Sequence, residues 1–268
     1  MSKMGEIAYE AELVSTALRA SQRIADLESA LRRIINEVIP DSVREMNQIV
    51  RDAKIFWKRN GDMEQRTDEW YLARLGKVTA SRISDVMAKT KAGYGASRAN
   101  YMAELIVERL TGKPGDSYQN AAMMWGTNTE PLARAAYEAH RGVLVEEVGF
   151  VPHPTISMAG ASPDGLVGDD GLVEIKCPNT ATHIETLMTG NVPLKYILQM
   201  HWQMICTKRE WCDFVSFDPR MPENMQLFVA RYMFSNDTAS DMTKEVTAFL
   251  AELDDKVSKL KEQYGDGV

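Results

Sequence analysis

The sequence is poor in the residues that bind soft metals or cross-link chains. Of its 268 residues, three are cysteine and four are histidine. Cys177, Cys206 and Cys212 form no C-x-x-C pair, so neither a disulfide framework nor a zinc or iron–sulfur knuckle is signalled. No apolar run approaches the roughly 18 to 20 residues that span a bilayer. The first thirty residues mix acids with bases where an export segment would be apolar. The expectation is a cytoplasmic protein with no membrane partner. Repeats and low-complexity stretches are also missing, which leaves one globular domain with extensions. A surplus of base is missing too: the formal net charge is -7, so overall charge gives no affinity for phosphate.

What is present is a hydrophobic share of 44%, enough for a sizeable core, and an uneven charge distribution. Residues 1–50 carry 6 bases and 8 acids, residues 51–113 carry 13 and 8, and residues 114–268 carry 12 and 22. The middle block is therefore basic and the rest acidic, a polarity that places a basic surface beside an acidic site. Ile7, Leu13, Leu27, Leu31, Ile34, Ile35 and Val38 recur at helical spacing up to Pro40 and predict an amphipathic helical extension over residues 1–50. The main domain is expected over 51–235. A last helix, from about Ser240 to Tyr264, belongs to a C-terminal segment, 236–268, expected to pack on that domain.

Within the main domain, Thr67 or Asp68 reads as an N-cap and Gly76 as a helix stop. A second start follows at Thr79 to Ser81, and residues 97–111 are helical by period, closing at Gly112. A further helix is predicted to begin at Asn128 or Thr129, with Pro131 in its first turn, and to end at Gly142. The period then changes. Residues 143–151 read as a strand, and the following segment as a hairpin: one strand to about Ala161, turns at Asp164-Gly165 and Asp170-Gly171, then "LVEIK" extended. Helical signals over 181–207 and strands near 211–217 and 226–233 complete the pattern. Strands flanked by helices predict an α/β (α+β) domain with a central mixed sheet.

The stretch "GASPDGLVGDDGLVEIKCP", Gly160 to Pro178, carries charge where a core normally rejects it. In "LVEIK" the side chains alternate, so Glu174 and Lys176 share one face while Val173 and Ile175 point to the other. Asp164, ending the preceding strand, can converge on the Glu174 face. Two acids and an ammonium gathered there are costly to desolvate unless a cation compensates them. Hard ions such as Mg²⁺ accept carboxylates, carbonyls and water, which Asp164, Glu174 and the Ile175 main-chain carbonyl would supply. With Lys176 beside them, this is equipment for phosphodiester hydrolysis. An isolated E-x-K is more often an exposed strand pair, and S-P-D-G alone a turn; it is their combination that carries the reading.

The arrangement P-D, turn, E-x-K resembles the restriction-endonuclease-like nuclease superfamily. Further stretches resemble one branch of it, the lambda exonuclease family of viral and prophage recombination nucleases: "WYLARLGKVTAS", "WGTNTEPLARAAYE", "SPDGL", "EIKCP", "YILQMHWQM" and "FDPRM", in the family's order over about residues 65–235. The resemblance implies a restriction-endonuclease-like core and a Mg²⁺-dependent 5′-to-3′ exonuclease, with one or two ions per site and Mn²⁺ able to substitute. It would act on duplex DNA ends and leave a 3′ overhang for recombination by strand annealing. It also implies a ring-shaped homotrimer, a single-strand annealing partner, and a phage or prophage origin in a bacterial host.

Position by position, the resemblance adds Glu130 as a metal ligand and Gln199 as an active-site residue. Arg74, Ser81 and Ser162 fall where the family holds the 5′-terminal phosphate, and Trp70 where it parts the terminal base pairs. Gln203, Tyr196 and His183 are further candidates. Two departures stand out: Pro154 replaces an acid ten residues before Asp164, and Thr182 replaces a phosphate-contacting arginine, with His183 next to it as a partial substitute. Two other functions compete: a structure- or site-specific endonuclease using the same site, and a non-catalytic DNA-binding assembly protein on a nuclease fold.

Overall fold

The computed structural model describes residues 64–91, 93–114 and 121–265. The expected extension over residues 1–50 lies outside them. Helix α1 (Asp68–Arg74) starts where Thr67 accepts the Trp70 N–H, and Gly76 follows its end with φ 67°. Strand β1 (Val78–Thr79), a single 3-10 turn (Ala80–Arg82) and the short α2 (Ile83–Val86) lead past a small ribbon, β2 (Lys89–Thr90) with β3 (Gly93–Tyr94), into α3 (Ala96–Thr111). Gly112 closes α3 in the left-handed conformation at φ 65°, as its sequence predicts.

Helix α4 runs from Ala121 to Arg141 with Pro131 inside it, so it begins earlier than Asn128, and Glu130 is a mid-helix residue rather than a first-turn one. Residues 121–125 supply two alanines and two methionines, good helix formers, and Trp125 is covered by the Arg220 guanidinium at 4.3 Å. These favour the added turns over the break that proline otherwise imposes. The predicted strand over 143–151 divides into β4 (Val145–Glu146) and β5 (Val151–Pro152), which join different sheets. The predicted hairpin divides likewise. β6 (Ala159–Ala161) pairs in parallel with β1 and antiparallel with β5, whereas β7 (Gly165–Val167) and β8 (Gly171–Lys176) form the true hairpin.

After β8 come α5 (Thr180–Thr189), α6 (Leu194–Thr207), β9 (Trp211–Phe217), β10 (Leu227–Met233) and α7 (Asn236–Tyr264). The five-stranded sheet has the order β10-β9-β8-β7-β4. β8 and β9 are parallel, so the chain must cross over between them, and α5 and α6 make that crossover. One face of the sheet, through Leu172 and Phe214, packs into the core formed with α6. The other, through Val173, Ile175 and Val215, packs on Ala133 and Tyr137 of α4. The central strand is thus buried on both sides, with Glu174 facing the α6 layer.

Two further contacts tie the layers. On the α4 side, the buried Asp213 of β9 accepts the Tyr137 hydroxyl at 2.9 Å and Nε and Nη2 of Arg231 at 2.7 and 2.9 Å, with Arg141 at 3.3 Å. On the other side, α7 buries Met242, Val246, Phe249, Leu250 and Leu253 and is clasped by Arg98–Glu252 at 2.7 Å and Lys89–Glu245 at 2.5 Å. No helix among the described residues is long and apolar enough to cross a membrane.

Gly160 lies on β6 in the three-stranded sheet, opposite Pro152 of β5. A Cβ built there would lie 2.3 Å from the Phe150 ring and 2.6 Å from the Val151 carbonyl oxygen of that neighbouring strand. The carbonyl belongs to the backbone and cannot swing aside. Gly160→Ala is therefore expected to lower stability by about 1–3 kcal/mol, the usual cost of overpacking. Urea denaturation checks this, and an unchanged midpoint would contradict the packing described.

Candidate active site

The end of β8 carries a carboxylate that the fold holds from every side. Glu174 is fully buried. Its Oε1 accepts Nε2 of Gln199 at 2.7 Å and its Oε2 accepts Nε2 of Gln203 at 2.6 Å. The two glutamines stand four residues apart on α6, one above the other on the face turned to the sheet. Lys176, two residues along the strand and on the same side, ion-pairs with Glu174 Oε1. Its ammonium also lies 5.1 Å from the Tyr196 ring, which is stacked on Phe214 at 5.7 Å. Gln203 and Tyr196 therefore belong to the site's immediate surroundings.

Asp164 precedes β7 and reaches β8, where its Oδ2 accepts the Ile175 N–H at 2.7 Å. Burial, then the negative field of Glu174, push its carboxyl well above the ordinary aspartate range, while Lys176 and the Ile175 N–H pull the other way. For Lys176, burial favours the neutral amine, but Glu174 and Asp164 outweigh it and raise its pKa above the usual lysine value. It is a fixed cation here. The adjoining Cys177 is pushed up to about 12, first by burial and then by Glu130 and Asp164, so it is a thiol and not a nucleophile.

Glu130 is placed differently from the sequence expectation. Its Oε2 accepts Arg66 at 2.6 Å and its Oε1 accepts Arg134 at 3.1 Å. Both oxygens are engaged by guanidinium groups, and among the described residues no three His, Cys, Asp or Glu side chains converge as a ready-made metal cage. Glu130 is neutralised by the two guanidiniums and Glu174 by Lys176, while among the described residues Asp164 accepts only a backbone N–H. The donor set nevertheless fits a hard cation. Asp164 and Glu174 flank Ile175, all offer oxygen, and Mg²⁺ is commonly held by one or two carboxylates with the substrate's phosphate. The raised Asp164 carboxyl marks negative charge that Lys176 alone does not balance.

A second cluster lies along α1. Ser162 Oγ receives Trp70 Nε1 at 2.9 Å and Arg74 Nη1 at 3.1 Å, and the Arg74 guanidinium covers the Trp70 ring at 4.1 Å. Burial lowers Arg74 to about 10, still cationic at neutral pH. Ser81 is exposed, its hydroxyl 3.4 Å from that of Thr79. It follows β1 as Ser162 follows β6, and those strands are paired Thr79 to Gly160. Ser81 thus joins the same sheet end without touching the other three.

His183 is corrected. It is fully buried, with Nδ1 on Ser216 Oγ at 2.8 Å and Nε2 on the Met225 carbonyl at 2.9 Å. Both ring nitrogens are spent inside the fold, so it offers nothing to a phosphate. Thr182 is exposed, and its N–H caps onto Asn179 at 2.9 Å. Sequence reasoning missed Gln65, Arg66 and Arg134. Only Arg134 left a signal, its spacing of four residues from Glu130. The "FDPRM" stretch proves to be a clip: burial would raise Asp218, but Arg220 bonds it at 2.7 and 2.9 Å and holds its carboxyl down at about 2.

A model of the YqaJ-like viral recombinase domain matches residues 69–210, a span that contains Trp70, Arg74, Ser81, Glu130, Ser162, Asp164, Glu174, Lys176, Gln199 and Gln203. The chain is also similar to a solved alkaline exonuclease, LHK-Exo from Laribacter hongkongensis, at 56% identity, covering 74% of this chain and 97% of that one with a TM-score of 0.69. The chain belongs to the YqaJ-like viral recombinase family. It is thereby a lambda exonuclease-family protein with the restriction-endonuclease-like fold. LHK-Exo has also been solved in complex with dAMP, with the same identity and TM-score. A phage-related exonuclease from Haemophilus somnus 129PT, at 15% identity, 69% and 96% coverage and a TM-score of 0.56, shares the fold. A comparison with curated proteins finds no match.

The environment of Asp164 gives a signed pH dependence. Its pKa is higher folded than unfolded, so the folded chain keeps a proton that the unfolded chain releases. That stability is complete below the unfolded pKa and is lost as pH rises from about 4 through the folded value. Asp164→Asn retains an acceptor for the Ile175 N–H but has no charge to bury. In chelator, it is expected to melt above the wild type at alkaline pH and to flatten the decline. Thermal melts across pH check this, and parallel curves for the two proteins would exclude it.

Proposed function

We propose that the protein is a Mg²⁺-dependent exonuclease that digests one strand of linear duplex DNA from its 5′ end and leaves a 3′ single-stranded overhang. The observation that carries this reading is the meeting of Asp164, Glu174 and Lys176 at one strand end, backed by Gln199. Asp164, Glu174 and the Ile175 carbonyl would hold the ion, with Glu130 as a further ligand, and Mn²⁺ would serve in its place. The cation would supply Lewis-acid polarisation of the scissile phosphate.

The chain's own groups supply the rest. Gln199 and Gln203 fix both oxygens of Glu174, so that its position need not be found anew when substrate arrives. The Lys176 ammonium faces the negative charge that gathers on the phosphoryl oxygens in the transition state. Arg74 and Ser162 form a phosphate pocket with Ser81 at its rim, and Trp70 beside Arg74 offers a flat ring against which a terminal base stacks. Recognition of a 5′-terminal phosphate by a guanidinium and hydroxyls accounts for action from ends.

The relatives support this reading: LHK-Exo is an alkaline exonuclease, and the dAMP bound to it is a mononucleotide of the kind that stepwise digestion releases. The family likeness extends the proposal to a homotrimeric ring around DNA, an annealing protein that takes the overhang, and work in the cytoplasm of a bacterial host.

Linear duplex labelled separately at each end, with and without a 5′ phosphate, tests direction and end recognition together. Loss of the 5′ label first, dependence on Mg²⁺ and resistance of closed circles are expected; cleavage of circles would favour an endonuclease. Lys176→Ala should slow hydrolysis by at least about a hundredfold, on the scale of losing one transition-state charge contact. Arg74→Ala should erase the advantage of phosphorylated over hydroxyl ends, and an equal loss on both kinds of end would remove Arg74 from the pocket.

A further inference from the structure

The turn Glu64–Thr67, just before α1, is fixed on the active-site segment. Gln65 Nε2 donates to the carbonyls of Val148 and Pro163, each at 2.8 Å, and Pro163 is the residue before Asp164. The next residue, Arg66, has φ 70°. That left-handed conformation is strained for a residue with a Cβ and free of strain for glycine. An arginine here is locally unfavourable, and its side chain shows what the position gains: Nη2 reaches Glu130 Oε2 at 2.6 Å.

The two guanidiniums on Glu130 are not equivalent. Arg134 shares its helix, is only 14% exposed in its side chain, and also pairs with Glu147. Arg66 comes from the turn and is 46% exposed, against 15% for Glu130 itself. Arg66 is thus the partner that can leave. A divalent cation that takes Glu130 as a ligand together with Asp164 and Glu174 competes with these guanidiniums for the carboxylate's charge, since each of its oxygens already faces one of them.

Building on the nuclease reading of this site, we propose that Arg66 is an exchangeable counter-ion of Glu130. It neutralises this carboxylate while the site holds no divalent cation and gives it up when one binds. Arg66 therefore sets the site's affinity for the ion. The exchange keeps Glu130 from adding its full repulsion to Asp164 and Glu174 in the absence of metal, and its cost to cation binding is that of breaking one partly exposed ion pair.

Isothermal titration of the full chain with MgCl₂, without DNA, tests this directly. Arg66→Gly removes the competing charge and suits the left-handed backbone, so the fold is retained. It is expected to bind Mg²⁺ about fivefold more tightly than wild type, the scale of a partly exposed ion pair. Arg66→Lys, which keeps the charge but loses the fork, should gain less. In a Glu130→Gln background the gain from Arg66→Gly should disappear. Equal or weaker Mg²⁺ affinity in Arg66→Gly overturns the proposal. If the wild type binds Mg²⁺ and cuts DNA while Arg66→Gly binds no more tightly, only the counter-ion role falls. A wild type that neither binds the ion nor cuts DNA removes both readings.

Discussion

A fully buried carboxylate on the central strand is the constraint around which this domain is organised. Glu174 has no exposure to water, and an unpartnered charge in such a place would be prohibitively costly. Its partners come from two elements: Lys176 from its own strand and Gln199 and Gln203 from α6. The α6 register is thereby fixed against β8 by polar contacts as well as by Leu172, Met200 and Met204 in the shared core. Because α6 also supports α7, a polar requirement of the site propagates into the packing of the C-terminal helix.

A second buried acid in the same sheet shows how the site differs from ordinary structural charge. Asp213 on β9 is as buried as Glu174, yet it is surrounded by Tyr137, Arg231 and Arg141, and its charge is balanced within the protein. Asp164 and Glu174 share one ammonium between them. An imbalance of that kind destabilises a fold unless something else is bound to correct it, which is why it marks a functional site better than burial alone. Arg74 shows the same logic with the opposite sign: burial lowers its pKa, and its hydrogen bond at the pocket is to a neutral serine hydroxyl, a favourable setting for an anion.

Much of this was legible in the sequence, for physical reasons. The alternation in "LVEIK" places Glu174 and Lys176 together whatever the tertiary context, and the spacing of Gln199 and Gln203 places them on one helical face. Gly112 and Thr67 act locally as caps, so their elements ended where expected. The start of α4 was not legible, because Pro131 argues for a break, and the helix formers at 121–124 prevail with the help of the cover that Arg220, more than ninety residues on, gives Trp125. The division of residues 143–151 between two sheets was hidden for the same reason, as pairing partners are set by the whole chain. His183 looked available because it adjoins Thr182, but neighbours on a helix face different ways, and one turned inward.

The parallel pairing of β8 with β9, Lys176 opposite Ser216, has a consequence for how the protein is made. The strand bearing Glu174 and Lys176 has only one edge covered until β9 is synthesised, some forty residues later, and β6 must also find β1 across a long stretch of chain. Contacts this distant carry a large loop-closure cost and slow folding. During translation, the β7–β8 hairpin therefore leaves the ribosome with one edge still bare, an unpaired row of backbone groups that the growing polypeptide must keep from pairing with a neighbour.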